Sequence, residues 1–340
     1  MRAEDLLDAI GNVRASYIAD ARFQKKNYRW ISWAAAVAAC LGLLIGVGTF
    51  LRSRDTAYPP IPWPQAGGAA STGTEFSLTP ELTLPDTAAP IAVYTPVAPD
   101  MDALCAELAA FHGLENVWKE NELHRYIATD ICLLEVEKGT GYWTFQDRTV
   151  DRFSAEPSVL TDVQAIEIAK ETAAEYGLDL RVFSDIQVGY GTMGTAETPI
   201  GQEVIVSHDV YFYPTIGGYS TWGICRFVVS VNGTGQVSSV MKLYPEWTLH
   251  AMEEAVSPAE AFRAIQKGNA HFPEAYDAAS VIFHSYEIVY YVDFEPSEQL
   301  KYCQPVYVFY GNCLDADGQV CGDNYTVMYP VLGEHRFRSR

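Results

Sequence analysis

The sequence predicts an α+β protein: an N-terminal transmembrane helix followed by an extracytoplasmic domain of repeated units, each a helix and then an antiparallel meander. Residues 31–51 form 21 consecutive positions without a charge. Beyond residue 100, apolar residues recur first at helical spacing and then in strand alternation, and this order appears three times. Helices separated by strand meanders are typical of α+β domains, in which the helices pack on one face of a sheet.

Charge is distributed unevenly along the 340 residues. The formal net charge is −20, but residues 1–29 carry a net +2 and residues 55–340 a net −24. A nucleic-acid partner is excluded, because phosphate contacts need clustered Lys and Arg. Disorder throughout is also excluded, since 49% hydrophobic and 13% aromatic residues can build a core.

The uncharged run predicts a membrane anchor. At about 1.5 Å per residue it spans about 30 Å, one hydrocarbon thickness. Basic residues are more numerous before the run than after it, which favours a cytoplasmic N-terminus. We therefore predict a single-pass helix over 30–51, acting as a signal anchor in the cell membrane, with residues 1–29 in the cytoplasm and 52–340 outside.

This segment has two other interpretations. A cleaved signal peptide would have a shorter apolar run, about 7–15 residues. A lipoprotein is the second alternative, because Val37–Cys40 resembles a lipobox. The strongest apolar stretch, Leu41–Leu51, follows that cysteine, which favours the permanent anchor.

The segments on either side of the anchor have different compositions. In the head, 1–29, Leu6, Ile10 and Val13 recur at helical spacing, so it is either a docking peptide for a cytoplasmic partner or an amphipathic helix on the membrane surface. Residues 52–99 contain nine of the 18 prolines and are predicted to form an extended, semi-rigid stalk.

The outer region is predicted to comprise units one and two over 100–250 and unit three over 251–340. Its helices are Met101–His112, a second beginning at Thr161 or Asp162 and ending at Gly177, and a third opening with Ser257–Glu260. The predicted strands are Ile127–Glu137, Tyr142–Phe145, Leu180–Val188, Glu203–Tyr213, Trp222–Val231, Gln236–Tyr244, Val281–Phe294, Gln304–Tyr310 and Tyr325–Val331. Asn232–Gly235 and Asp315–Gln319 are predicted hairpin turns.

Unit three carries a family resemblance. Ser257–Phe262, the Tyr-rich strand at 286–294, Gln304–Phe309 and Tyr325–Val331 resemble the repeating unit of YycH/YycI-type regulators. Those are single-pass Firmicutes proteins whose outer α+β units are related to PepSY-like modules. Three further segments resemble the leader of many uncharacterised clostridial membrane proteins: Leu6–Gly11, Tyr17–Ala21 and Trp33–Leu41.

The resemblance implies a regulatory or sensory membrane protein rather than an enzyme. It would act through protein–protein contacts, with a sensor kinase or another membrane or cytoplasmic protein as partner, and would need no cofactor. Two alternatives stay open: a tethered extracytoplasmic ligand-binding or adhesion module, and an envelope hydrolase. The hydrolase would need a catalytic site built on His112, His124 or His208. The sequence contains no nucleophile motif that would complete such a site.

Six cysteines follow the anchor: Cys105, Cys132, Cys225, Cys303, Cys313 and Cys321. A hairpin centred on Asp317 would place Cys313 opposite Cys321, so these two are a candidate disulfide. Thiols and disulfides are both open for the other four. The turn contains an Asp-x-Asp-Gly stretch, Asp315–Gly318, that partly matches a calcium-binding loop. Cys313 and Asn324 would occupy two positions where such a loop needs acidic ligands, so the hairpin turn is favoured and no metal is predicted.

Four aromatic residues flank the turn at Pro214–Gly218. They are Tyr211, Tyr213, Tyr219 and Trp222. They form a candidate ligand or glycan platform, and the alternative is a Tyr-rich sheet that packs on its helix.

Overall fold

The computed structural model describes residues 58, 61, 73–153, 157–193, 203–272, 278–292 and 301–333. Most of these residues lie in strands and three helices, so the α+β class is confirmed. The predicted head and membrane helix, and residues 52–72 of the predicted stalk apart from 58 and 61, lie outside the described residues. Within the described residues no helix is both long and apolar enough to cross a bilayer.

Two strands precede the first helix, and four follow it. Those before it are β1 (Glu75–Leu78) and β2 (Ile91–Pro96), and the helix is α1 (Met101–Phe111). Those after it are β3 (Lys119–Glu120), β4 (His124–Ala128), β5 (Cys132–Glu137) and β6 (Trp143–Asp147). The predicted strand Ile127–Glu137 is therefore two strands, because the Thr129 hydroxyl accepts backbone hydrogen bonds from Ile131 and Cys132 and closes a turn.

The other two helices are also each followed by strands. Helix α2 (Asp162–Glu175) leads through a 3-10 turn at Leu180–Val182 into β7 (Phe183–Met193), β8 (Val204–Ile216), β9 (Tyr219–Gly223), β10 (Phe227–Asn232) and β11 (Val237–Lys242). Strand β12 (Trp247–Glu253) then precedes α3 (Pro258–Gln266), β13 (Ser280–Val292), β14 (Gln304–Leu314) and β15 (Val320–Pro330).

Local capping chemistry fixes the ends of the helices. The Thr161 hydroxyl accepts from the backbone N–H of Gln164, and the Gln164 side chain accepts from the backbone of Thr161, so Thr161 rather than Asp162 is the cap. Gly177 follows α2 with φ of +71°, a conformation that favours glycine. Ser257 caps α3 by accepting from Glu260, with Pro258 in the first turn. These predicted ends are confirmed.

The strands form one large sheet and one small ribbon. The large sheet has the order β15-β14-β13-β9-β8-β10-β11-β6-β5-β4-β3, with β1 added to β13 and β7 added to β8. Strands β2 and β12 form the ribbon. Two pairings, β1 with β13 and β9 with β13, are parallel, so the expectation of purely antiparallel meanders is wrong at these two places.

The predicted stalk does not remain an extended spacer to residue 99. Strand β1 pairs with Ser280–Phe283 of β13, and β2 pairs with β12. Phe76, Ile91 and Val93 are buried in the core beneath α3. Burial of these apolar side chains in partner strands fixes this part of the chain, although three prolines lie between β1 and β2.

The helices cover one face of each half of the large sheet. Val210 and Phe212 of β8 pack in the apolar cluster beneath α1 and α2. Tyr307 and Phe309 of β14 pack in the cluster beneath α3. Because side chains alternate along a strand, Tyr213 of β8 and Tyr310 of β14 lie on the opposite face. We call it the helix-free face, because none of the three described helices packs on it.

Candidate functional site

A cleft of about 540 Å³ lies on the helix-free face where the two halves of the sheet meet. Strands β7, β8, β9, β13 and β14 supply its lining. We call it the seam cleft, and its lining residues are Ser184, Asp185, Gln187, Tyr213, Ser220, Thr221, Trp222, Gly223, Glu287 and Tyr310.

The β7–β8 pairing sets one wall of the seam cleft. Asp185 of β7 is directly opposite Tyr213 of β8, and Gln187 is opposite Tyr211. Residues directly opposite in an antiparallel pair share a face, so Asp185 and Tyr213 point to the same side of the sheet. The Gln187 amide donates to the Asp185 carboxylate over 2.7 Å, which holds this carboxylate beside the cleft.

The other wall comes from β9, β13 and β14. The Trp222 and Tyr310 rings meet edge to face, with centroids 6.1 Å apart. The buried Thr221 hydroxyl donates to the Pro214 carbonyl over 2.8 Å and so fixes the β8–β9 hairpin on which Trp222 lies. Glu287 of β13 is exposed and accepts a 2.5 Å hydrogen bond from the Tyr310 hydroxyl.

The electrostatics of the cleft are acidic. Asp185 and Glu287 are its two carboxylates, and the described lining residues include no Lys or Arg. Burial, together with the hydrogen bond to Glu287, raises the pKa of the Tyr310 phenol, so this hydroxyl stays protonated and continues to donate. Two carboxylates beside the Tyr213, Trp222 and Tyr310 rings suit a cation with an apolar stem.

Two arginines on the same face have contacts of their own outside the lining of the cleft or at its edge. Arg226 lies over the Tyr211 ring, 4.7 Å from its centroid, and its Nη1 is 3.5 Å from the Tyr213 hydroxyl. Arg152 is 3.1 Å from the Asp209 carboxylate, which also accepts from Ser230. The negative charge available in the cleft therefore comes from Asp185 and Glu287.

The four aromatic residues of the predicted platform are divided between two faces. Tyr213 and Trp222 line the seam cleft. Tyr211 shares their face, but its ring is covered by Arg226 and lies over β7, where a Cβ on Gly189 would be 2.8 Å from it. Tyr219 is edge to face with Tyr290, in contact with the core on the other side. Tyr219 and Trp222 are three positions apart in the strand, so the alternation of side chains puts them on opposite faces.

The predicted opposition of Cys313 and Cys321 is wrong. The β14–β15 register pairs Cys313 with Gly322, and irregularities flank this pair. Cys313 is buried whereas Cys321 is exposed, and no disulfide joins them. The turn itself is confirmed, because the Asp315 carboxylate accepts from the backbone N–H groups of Asp317 and Gln319. The Asp315 side chain thus closes the hairpin.

The three histidines considered for a hydrolase lie on different elements. His112 follows α1 and stacks on Phe145, where burial lowers its pKa to about 4. His124 is in β4. His208 is buried in β8, with Nε2 3.7 Å from Asp162. In the described part of the chain, no three His, Cys, Asp or Glu side chains are grouped as a metal site.

Comparisons with known proteins found solved structures of low similarity. No protein-family model matches the chain, and no curated protein matches it. One similar solved structure is an uncharacterized protein from Eubacterium rectale ATCC 33656, with 11% identity, a TM-score of 0.39, and coverage of 78% of this chain and 90% of that one. Another is the Bacillus megaterium YpeB C-terminal domain, with 10% identity, a TM-score of 0.32, and coverage of 72% and 97%.

Proposed function

We propose that the chain is a membrane-anchored, non-catalytic regulator or sensor that acts through protein–protein contacts. Its outer domain would bind the partner or ligand at the seam cleft, and the helix over 30–51 with the head would transmit or dock. The observation that carries this proposal is the cleft, an open site with two carboxylates and three aromatic rings. The resemblance of unit three to YycH/YycI-type regulators supports the regulatory role.

The chemistry of the cleft favours a cationic group on the partner. The Asp185 and Glu287 carboxylates supply the charge, and Trp222 and Tyr213 supply aromatic faces. A Lys, Arg or amine placed between them would gain a contribution of about 0.5–1 kcal/mol from the rings and about 0.2–1 kcal/mol from each exposed ion pair. The acidity of the outer region repels anionic partners.

A tethered ligand-binding module is the second candidate. One observation favours it: in the described part of the chain, the lining residues of the cleft all fall between Ser184 and Tyr310, within the proposed outer domain. In that case the membrane helix is only an attachment, and the outer domain acts without transmitting a signal.

Cell-based variants of the full chain test the proposal. Asp185→Asn with Glu287→Gln, and separately a deletion of 1–29, are each introduced at the native locus and compared with loss of the whole gene. The regulator predicts that both changes shift the transcript profile in the direction of the complete deletion. The tethered module predicts that only the cleft variant does so. A cleft variant with the wild-type profile contradicts both.

Alkaline extraction of membranes tests the anchor. The intact chain is expected to stay in the membrane pellet, and a variant with Leu43→Arg and Leu44→Arg to be released, because charges at the centre of a span each cost about 2.5–3.5 kcal/mol on insertion scales. Release of the intact chain from the pellet would contradict membrane anchoring.

A further inference from the structure

We infer that the partner enters as an extended peptide, which adds as a strand to the outer edge of β7 and places a Lys or Arg side chain in the seam cleft between Asp185 and Glu287. This inference rests on the proposed function and deepens it, since it names the kind of partner and the way in which it binds.

Strand β7 presents an edge that can accept another strand. Its 11 residues, Phe183–Met193, pair with β8 on one side. Among the described strands, none pairs with its other side. Edge strands are commonly protected by shortness, by charged side chains, especially Lys, by Pro or by bulges. Strand β3, at the end of the same sheet, is two residues long and carries Lys119, whereas β7 contains no Lys, Arg or Pro.

The geometry of β7 leads an added strand into the cleft. Between irregularities at its two ends, β7 runs in regular register from Asp185 to Gly191. Ser184, Asp185 and Gln187 belong both to this strand and to the lining of the seam cleft. Side chains directly opposite on neighbouring strands are about 4.5–5.5 Å apart at Cβ, so alternate residues of an added peptide would lie beside Asp185 and Gln187.

Charge complementarity selects the side chain that enters. A Lys or Arg beside Asp185 would extend over the cleft towards Glu287, with its aliphatic stem against Trp222 and Tyr310. Arg226 does not occupy this place, because it lies over Tyr211. Main-chain hydrogen bonds along β7 would supply affinity, and the acidic cleft would supply selectivity.

Binding to the full-length protein in nanodiscs tests the charge requirement. The probe is a fluorescent, N-acetylated nonapeptide, Thr-Val-Lys-Val-Lys-Val-Lys-Val-Thr amide, followed by anisotropy. Asp185→Asn with Glu287→Gln is expected to weaken binding by about 2- to 30-fold, because two exposed ion pairs are lost while the aromatic rings remain. The matched control, Glu107→Gln with Glu171→Gln, removes the same charge from exposed helix positions and is expected to weaken it less than twofold. Equal losses in the two variants would overturn specific binding at the cleft, and with it the proposed function.

Backbone N-methylation of the probe tests strand addition separately. An added strand uses the N–H groups of alternate residues, so methylation of one alternate set is expected to weaken binding more than tenfold, and methylation of the other less than about threefold. Equal effects of the two sets would overturn strand addition but leave charge-dependent cleft binding intact. A dimer of the chain that the probe dissociates would assign the β7 edge to a second copy and would also overturn the inference.

Discussion

Replacing His112 with phenylalanine is expected to remove part of the acid sensitivity of folding. The imidazole stacks on Phe145 with ring centroids 3.7 Å apart and an angle of 12° between the rings. Its Nε2 lies 3.3 Å from the Tyr176 hydroxyl. Burial favours the neutral ring and lowers the pKa of His112 from 6.5 to about 4. Phenylalanine keeps the ring stacking and removes the titration.

The direction in which stability changes with pH follows from proton binding at His112. Between pH 6.5 and 4, the unfolded chain binds a proton at His112 that the folded chain does not. The free energy of unfolding therefore has its full value above pH 6.5 and falls as the pH is lowered towards 4. Between pH 7 and 5 the linkage relation gives a loss of about 2 kcal/mol in the free energy of unfolding. Partial solvation of the ring reduces this loss to about 1–1.5 kcal/mol.

Urea unfolding of the full-length protein in detergent at pH 7, 6 and 5, followed by near-ultraviolet circular dichroism, measures this effect. The difference between wild type and His112→Phe cancels the titration of the many carboxylates. The variant should lose about 1–1.5 kcal/mol less than wild type on going from pH 7 to 5. Tyr176→Phe, which retains the imidazole, should keep the wild-type dependence. Parallel curves for wild type and His112→Phe would refute the assigned burial of the ring.

Three further predictions concern packing, capping and thiol reactivity. Ile265→Ala in α3, where Ile265 is fully buried, should lower the free energy of unfolding by about 2–4 kcal/mol in urea, and Ile265→Val by about 0.5–1.5 kcal/mol. Thr161→Ala should cost about 1 kcal/mol by the same measurement, whereas Thr161→Ser should cost little, because serine retains the cap. Iodoacetamide should modify exposed Cys321 in the native protein and Cys225 only after unfolding, since burial raises the pKa of Cys225 to about 12; mass spectrometry of the labelled peptides distinguishes these outcomes.

The sequence predicted the features that neighbouring residues control. The Thr161 and Ser257 caps, the Gly177 terminus and the turn at Asp315 each depend on hydrogen bonds or backbone angles within a few residues. The order of helix followed by strands was predicted for the same reason, because each element has its own apolar period. The predicted head and membrane helix stay predictions, since they lie outside the described residues.

The candidate site could be predicted only in part. Tyr213 and Trp222 were identified because they flank one hairpin turn. Because side chains alternate along a strand, the odd spacing of Tyr219 and Trp222 already indicates that they lie on opposite faces of the sheet. Asp185 and Glu287 had no such signal, because about a hundred residues separate them along the chain and an isolated carboxylate in a strand is common.

Proline content led to the wrong expectation for 75–96. Prolines at 80, 85 and 90 lie between β1 and β2, and they interrupt any regular pattern longer than a few residues. Side chains alternate between the two faces of each short strand, as Ile91 and Val93, both buried, show in β2. This alternation covers too few residues to outweigh the proline content. Pairing with β12 and β13 supplied the missing stabilisation, and those partners lie more than 150 residues away.

By itself, the sequence determined the α+β class, both ends of the first two helices, the start of the third, the two predicted hairpin turns and the acidity of residues 55–340. Those properties are sums over local interactions and composition. Tertiary structure alone decided that Asp185, Trp222, Glu287 and Tyr310 share one cleft, and that Cys313 is opposite Gly322 rather than Cys321. Strand register and the order of strands in a sheet determine such contacts, and a one-residue irregularity exchanges the faces on which side chains lie.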